Sequence, residues 1–444
     1  MADRFLPGTI AWAAYNLALW IVLATSSPAW IPWMLAARKR RSNFPSRLGF
    51  GLDRIPSGEG SPSIWVHSVS VGETLAAAPF IRLLTSENPG ARITLSTVTL
   101  TGQETAHKSI GDAVSAICYF PFDLSFVCGR FLDRIRPDAV VILETEIWPN
   151  FLAECGARDI PVVILNARLS GKSFGGYRKL SGLFRRVLAN VSAIGAQTSG
   201  DAARFAELKG NGKGIAATGN MKYDMSIPKT NPELASIMTR VRERGGRWLV
   251  AGSTHEGEES AILAGFARAR EKAAGLHLLL APRHPERFEK VDRLCSESGF
   301  RALRRTRFHE EGFPDDASVL LLDTVGELSG AYALADIAFV GGSLVPVGGH
   351  NILEPACFGV PVMTGTHMHN FREMAEMFRR EEAAVFVEVP ESFGDELGRL
   401  LSDPEEASRM GRRGRSLMQA NQGATARNVA LVVEAVEKRG REMA

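Results

Sequence analysis

Cysteine is scarce and unpatterned. Cys118, Cys128, Cys155, Cys295 and Cys357 are all there are in 444 residues. An odd number with no CxxC spacing excludes a disulfide framework and a finger-type zinc site, and it suits a reducing compartment. Excess charge of one sign is missing too: 52 Lys and Arg against 49 Asp and Glu leave a formal net charge of +3. That balance, with 45% hydrophobic residues, excludes a disordered chain and a general nucleic-acid binder. No low-complexity tract or short repeat interrupts the sequence. Walker-type, GxGxxG, HExxH and DxD patterns are lacking at the loops that matter below, so His255, Glu258, Glu259, His367 and His369 read as polar groups rather than metal ligands. The length is room for two ordinary domains.

Charge is absent from one long stretch. Residues 5–25, FLPGTIAWAAYNLALWIVLAT, carry no ionisable Asp, Glu, Lys or Arg and approach the length of a bilayer-crossing helix. The run AWIPWMLAA extends it past Pro28 and Pro32 to Arg38, Lys39, Arg40 and Arg41, whose charges belong on the cytoplasmic side. Because the basic cluster follows the apolar run, residues 1–41 read as an uncleaved anchor with a basic stop rather than a signal peptide. A segment lying on the membrane instead of crossing it is the alternative.

Beyond Arg47, β-branched runs alternate with helix-compatible stretches, as in parallel sheets with crossover helices. One set is 63–69, 92–98, 138–143, 160–165 and 191–196; the second is 246–252, 276–282, 318–323, 336–342 and 360–365. Their continuous apolar character suits strands covered on both faces. Residues 226–232, SIPKTNP, read as a linker between domains 42–225 and 233–444. Two Rossmann-like doubly wound α/β domains of this kind are expected to face a cleft, with ligands at the strand C-terminal ends.

The unusual residues fall in loops after those strands. In HSVSVGE (67–73), Glu73 opens a helix. It reads either as a general base or as the partner of Ser70 in a capping box. Glu144, in ETEIWPN (144–150), directly follows VVIL; it reads as a cleft-facing hydrogen-bonding group or as part of a salt-bridged loop. From Asp159 to Asp201 no acid intervenes, while Arg168, Lys172, Arg178, Lys179, Arg185 and Arg186 are interleaved with apolar residues. This reach suits anionic headgroups, or a basic helix packed on its own domain. Lys222 in GNMKYD (219–224) could neutralise developing negative charge. In the second half, AGSTHEGEE (251–259) and PRHPER (282–287) suggest a phosphate at a helix N-terminus, with Arg283 as a planar donor. Gly326, Glu327 and Leu328 follow LLLD, and GGHNILEP (348–355) brings Asn351 and Glu354 one helical turn apart.

Taken in order, SVSVGE, ETEIWPN, LNARLS, GNMKYD, AGSTHEGEE, PRHPER, GGS and GGHNILEPA resemble the bacterial 3-deoxy-D-manno-octulosonic acid (Kdo) transferases over nearly the whole chain. The resemblance implies a GT-B glycosyltransferase behind an N-terminal anchor. It implies transfer of Kdo from CMP-Kdo to the lipid A precursor, lipid IVA, in lipopolysaccharide biosynthesis. The domains would lie on the cytoplasmic side of the inner membrane, in contact with its lipids and with no nucleic acid. By motif, Glu73 becomes the base of an inverting reaction, with Glu144 and Lys222 supporting the transition state. Pro282 and Arg283, Gly326, Glu327 and Leu328, and Asn351, Ile352, Leu353 and Glu354 match the stretches that hold CMP. No metal and no cofactor is implied, CMP-Kdo being a donor substrate. A membrane-associated GT-B enzyme using a UDP-sugar, and a non-catalytic tethered nucleotide binder, are the competing readings.

Overall fold

The computed structural model describes residues 4–36, 43–57, 62–225, 229–308 and 318–443. The basic cluster 38–41 and the first part of the expected linker, 226–228, lie outside the described residues. The chain divides into two compact units, 1–225 with 421–444, and 226–420.

The first unit opens with α1 (Ile10–Leu35), capped by Thr9, whose hydroxyl oxygen accepts from the Trp12 N–H at 3.3 Å. Its segment Ile10–Pro32 is long and apolar enough to cross a membrane. Then follow β1 (Ser63–His67), α2 (Val71–Glu87), β2 (Arg92–Thr97), β3 (Ala116–Tyr119), β4 (Ala139–Leu143) and α3 (Pro149–Ala157). After these come β5 (Val162–Ala167), α4 (Gly171–Lys179), α5 (Ser181–Leu188), β6 (Val191–Ala196) and β7 (Ile215–Ala217). The strands form one parallel sheet in the order β3-β2-β1-β4-β5-β6-β7. Both faces are covered, which is why β1 and β4 are buried at every position. One face carries Trp65, edge-on to Phe151 at 5.1 Å, with Phe120 and Phe131; the other carries Ile64, Val66, Phe80 and Ile81.

The second unit contains β8 (Arg247–Thr254), α6 (Glu258–Lys272), β9 (Leu276–Pro282), β10 (Ala302–Arg304), β11 (Val319–Leu321), β12 (Ile337–Val340), β13 (Val362–Gly365) and β14 (Ala384–Val387). Its parallel sheet runs β10-β11-β9-β8-β12-β13-β14, with Leu249, Phe266, Leu278 and Phe339 in one core layer and Trp248, Val250, Leu279 and Leu320 in the other.

One boundary differs from expectation. The final helix, α7 (Ala424–Met443), expected within the 233–444 domain, belongs to the first unit. Asp224 is the physical reason: its carboxylate accepts from the Gly423 N–H at 2.6 Å and the Thr425 N–H at 2.5 Å, satisfying amides at the start of α7. Fully buried Ala424, Val429 and Val432 then join the Ile64 face, each valine contributing roughly 1.5 kcal/mol of burial.

In both sheets the order reverses beside the first strand, between β1 and β4 and between β8 and β12. Crevices at the carboxyl ends of strands flanking such a reversal are where open α/β sheets bind ligands.

Candidate functional site

At the first reversal, β1 ends in the turn that starts α2. Ser70 is the N-cap, its hydroxyl oxygen accepting from the Glu73 N–H at 3.3 Å. The Ser70 O–H donates to Glu73 Oε1 at 2.8 Å, and the Val69 N–H donates to Oε2 at 2.7 Å. The reciprocal cap is therefore formed, and the half-buried carboxylate still has unused lone pairs. Burial pushes the Glu73 carboxyl above its ordinary value; the bond from Val69 opposes this, and the Glu144 charge adds to the rise. Such a group holds a proton more readily than an exposed glutamate, which is the property a base near neutral pH needs.

Glu144 follows β4 in left-handed backbone, φ 59°, with its N–H donating to the Leu165 carbonyl at 2.8 Å. A non-glycine residue there costs on the order of 1 kcal/mol. Lys222 Nζ lies 3.6 Å from Glu144 Oε1. Asn166 sets the lysine's loop: at φ 53° its Oδ1 accepts from the Met221 N–H at 3.0 Å. Asn220 Oδ1 in turn accepts from the Lys222 N–H at 3.0 Å. Glu73, Glu144 and Lys222, expected from three separate loops, thus share one locus in the first unit.

Glu146 joins them; the sequence marked it only as the second acid of the ETEIWPN pair, with no role of its own. Its carboxyl is pushed up to about 7, first by burial and then by the charges of Glu73 and Glu144. The signal was its place two residues after Glu144 in ETEIWPN. Asn166 could have been found as an Asn ending a buried strand, the residue type that tolerates left-handed backbone.

At the second reversal, the first residue of α6 closes the loop that follows β12. Glu258, fully buried, accepts from the N–H groups of His255 (2.8 Å), Gly342 (2.7 Å), Ser343 (2.9 Å) and Leu344 (2.8 Å). The amides of the loop after β12 are thus filled by the chain's own carboxylate. Gly341 permits this, because a Cβ there would sit 2.9 Å from Glu258 Oε2 and 2.6 Å from the Ser253 carbonyl. Glu259, also buried, is paired with Arg287.

Pro282 is buried and closes β9, while the Arg283 side chain is exposed beside it and its N–H donates to the Thr254 carbonyl at 3.0 Å. His255 and His350 stack with rings 5.1 Å apart, their Nε2 atoms at 2.9 Å; His284 sits edge-on to His255 at 5.3 Å. Burial, then His255, Arg283 and His284, push His350 down to about 4. Burial first, and neighbouring positive charge after it, hold His255 and His350 neutral, and an anion would relieve the second influence. Glu354 belongs to the same locus: burial raises its carboxyl, the Ser329 O–H donates to Oε2 at 2.5 Å, and the Arg283 charge lowers it.

The other matched residues divide. Asn351 Oδ1 accepts from the Leu353 N–H at 3.2 Å. Ile352 and Leu353 are fully buried, so only their backbone can meet a ligand. Gly326 is exposed with φ 94°. The Glu327 carboxylate is paired with Arg305 at 3.1 Å and bonded by the Thr324 O–H at 2.7 Å. Leu328 packs over Gly252, where a Cβ would meet it at 2.8 Å. Among the described residues no group of three or more His, Cys, Asp and Glu is arranged to hold a metal ion. The basic reach forms α4 and α5, with Lys172, Arg178, Lys179, Arg185 and Arg186 exposed and Val187 and Leu188 in the core.

The family model described as 3-deoxy-D-manno-octulosonic-acid transferase (kdotransferase) matches residues 42–225. The chain is 38% identical over 407 residues to the 3-deoxy-D-manno-octulosonic acid transferase of Haemophilus influenzae, covering 90% of this chain and 92% of that one. It is 32% identical to the enzyme of the same name from Bordetella pertussis, covering 87% and 90%. Among solved structures, MurG of Acinetobacter baumannii is similar with a TM-score of 0.53 at 13% identity, over 84% of this chain and 99% of that one, a likeness of fold alone.

Proposed function

The chain belongs to the 3-deoxy-D-manno-octulosonic acid transferase family and has the two-sheet α/β architecture of GT-B glycosyltransferases, and from that premise we propose that it moves Kdo from CMP-Kdo to a hydroxyl of the lipid A precursor lipid IVA, with inversion and with Glu73 as general base. The observation that carries the reading is the Glu73 carboxylate at the first strand-order reversal, raised by burial and by Glu144, beside the Glu144–Lys222 pair.

In this mechanism the acceptor hydroxyl oxygen forms the new bond to the anomeric carbon, and its proton passes to Glu73. The bond from that carbon to the phosphate oxygen breaks, and CMP leaves with the electron pair. The sugar centre becomes cation-like while charge grows on the phosphate, so the two need opposite electrostatics. Glu144 faces the former need, and Lys222 holds Glu144 in place while offering a cation to the sugar's own carboxylate. Arg283 meets the phosphate, and Asn351 with the backbone of 350–353 lines the nucleotide; Glu354 accepts from ribose hydroxyls. The reading asks the two units to serve one donor and one acceptor, and it requires no bound cofactor. It places the work at the cytoplasmic face of a bacterial inner membrane, where a lipid acceptor is available.

The test is mass spectrometry of products from CMP-Kdo, or from UDP-sugars, with a tetraacylated lipid A precursor. A Kdo-bearing lipid formed only from CMP-Kdo supports the reading. Transfer from a UDP-sugar instead, or CMP binding with no product, rejects it.

A further inference from the structure

The first third of α1 is fastened to the first unit. Phe5, just ahead of it, is fully buried; its N–H donates to the Arg186 carbonyl at 3.1 Å, and its carbonyl accepts from Asn190 Nδ2 at 2.7 Å. Within the helix, the Tyr15 O–H donates to Asp123 at 3.2 Å. Asn16 and the fully buried Asn150 exchange amide hydrogen bonds at 2.8 and 2.9 Å. The chain after the helix returns to the same unit: Asn43 Nδ2 donates to the Val98 carbonyl at 3.2 Å, Phe44 packs on Phe122 at 5.0 Å, and Arg47 Nε donates to the Phe120 carbonyl at 3.0 Å.

Both flanks of the apolar helix are therefore held by one body. The part beyond Asn16, residues 17–35 of the 26-residue helix, is about 28 Å long, close to the hydrocarbon core of about 30 Å. If α1 crossed, residue 36 would emerge opposite the unit and the chain would have to recross before Asn43. Seven peptide links reach at most about 25 Å, and Arg38, Lys39, Arg40 and Arg41 would lie in the hydrocarbon, at a cost of roughly 3 kcal/mol each at its centre. The free part of the helix nevertheless exposes Leu17 (64%), Trp20 (53%), Ile21 (54%) and Val22 (59%), surface that water does not favour.

The neighbouring surface is cationic. A groove of about 510 Å³ separates Ala11, Ala14 and Ala18 of α1 from Gly182, Leu183 and Arg186 of α5. Next to it Lys172, Arg178, Lys179 and Arg185 are exposed around Leu180, itself 58% exposed. Apolar side chains flanked by a basic band complement the acyl boundary and headgroups of an anionic bilayer.

We infer that α1 lies in the membrane interface rather than across it, and that its outer part together with α4 and α5 seats the first unit on an anionic lipid surface with both helix flanks on the same side. The inference rests on the transferase reading only in taking the acceptor to be held in that bilayer.

Full-length Ala36→Cys, exposed at the end of α1, is treated with a membrane-impermeant maleimide in intact spheroplasts and in inverted membrane vesicles, after subtraction of wild-type labelling. Glu207→Cys, exposed on the first unit, is the reference. Labelling of both positions only in inverted vesicles is expected; labelling of residue 36 from outside the spheroplast overturns the in-plane helix. For the basic band, Lys172→Gln/Arg178→Gln/Lys179→Gln should bind phosphatidylglycerol vesicles roughly a hundredfold more weakly, three charges at about 1 kcal/mol each, with binding to phosphatidylcholine unchanged. Equal affinity for phosphatidylglycerol, in a variant whose melting temperature matches the wild type, overturns the seating by charge. Failure of the transferase reading shows separately, as no product from CMP-Kdo in detergent, where vesicle sidedness plays no part.

Discussion

Replacing Glu73 by glutamine separates the two roles this residue can have. The amide keeps the cap: its oxygen can accept from the Val69 N–H, and its NH₂ can donate to the Ser70 hydroxyl oxygen, replacing the contacts now at 2.7 and 2.8 Å. Stability should change by less than about 1 kcal/mol, a few degrees in melting temperature at most. CMP affinity should hold, because the groups assigned to the nucleotide are in the other unit. What the amide cannot do is take a proton, and loss of a general base lowers rates by roughly 10²–10⁴, about 3–5 kcal/mol of barrier. Removing the Glu73 charge also relieves Glu146, so its carboxyl should fall from about 7. The measurements are kcat for CMP release, calorimetric titration of CMP and a thermal melt, with Ser70→Ala as the control. That control loses the cap, about 1 kcal/mol of stability, yet keeps the base and should retain most of the rate. A Glu73→Gln enzyme folded like the wild type and turning over within about tenfold of it would refute the argument.

Arg283→Ala should weaken CMP binding by about ten- to a hundredfold, the worth of hydrogen bonds to a charged group, with kcat at saturating donor less affected; unchanged affinity in calorimetry would remove Arg283 from the donor site. Glu258→Ala should cost more than about 3 kcal/mol in urea unfolding, since the amides of Gly342, Ser343 and Leu344 lose their acceptor in a dry interior; a loss below about 1 kcal/mol would mean water serves them equally well. His67→Phe should change the pH dependence of stability. Burial, partly opposed by a bond to the Ser96 backbone, holds His67 down at about 3, whereas in the unfolded chain its pKa is about 6.5. Between those values the unfolded state binds a proton that the folded state does not, so wild-type stability falls as pH drops, by about 1.4 kcal/mol per unit from this group. Urea midpoints at pH 6 and pH 5 should show that much less slope in the variant, and parallel curves would reject it.

The inner strands were legible because both faces are covered, so β1, β4, β5, β8, β9 and β12 are apolar runs that announce themselves. The four strands that were not legible, β3, β7, β10 and β14, are the four sheet edges. They are short, three or four residues each, and β3 and β7 have no buried position. An edge strand covers less apolar surface, so its sequence carries less of the pattern. The placement of α7 was hidden for a different reason. Its amides are satisfied by Asp224, some two hundred residues earlier, and nothing local to 421–444 encodes that pairing.

For the site, residue types after buried strands pointed to loops that bring Glu73, Glu144 and Lys222 to one locus, but the contest for each hydrogen bond was invisible. A Gly-rich loop after a strand reads the same whether a ligand's phosphate or the chain's own carboxylate fills its amides; at Gly342, Ser343 and Leu344 burial and the converging N–H groups decide for Glu258. Conversely, Glu73 looked like a cap, and it is one, yet the same burial that completes the cap raises its proton affinity. Desolvation is the leading influence on Glu73 and Glu146 in one unit and on His350 in the other, and it disfavours whichever form is charged. Acids are thereby made better proton acceptors at the first reversal. At the second, burial keeps His350 neutral beside Arg283. One physical effect, applied to two residue types, raises the proton affinity of acids in one unit and lowers that of a histidine in the other.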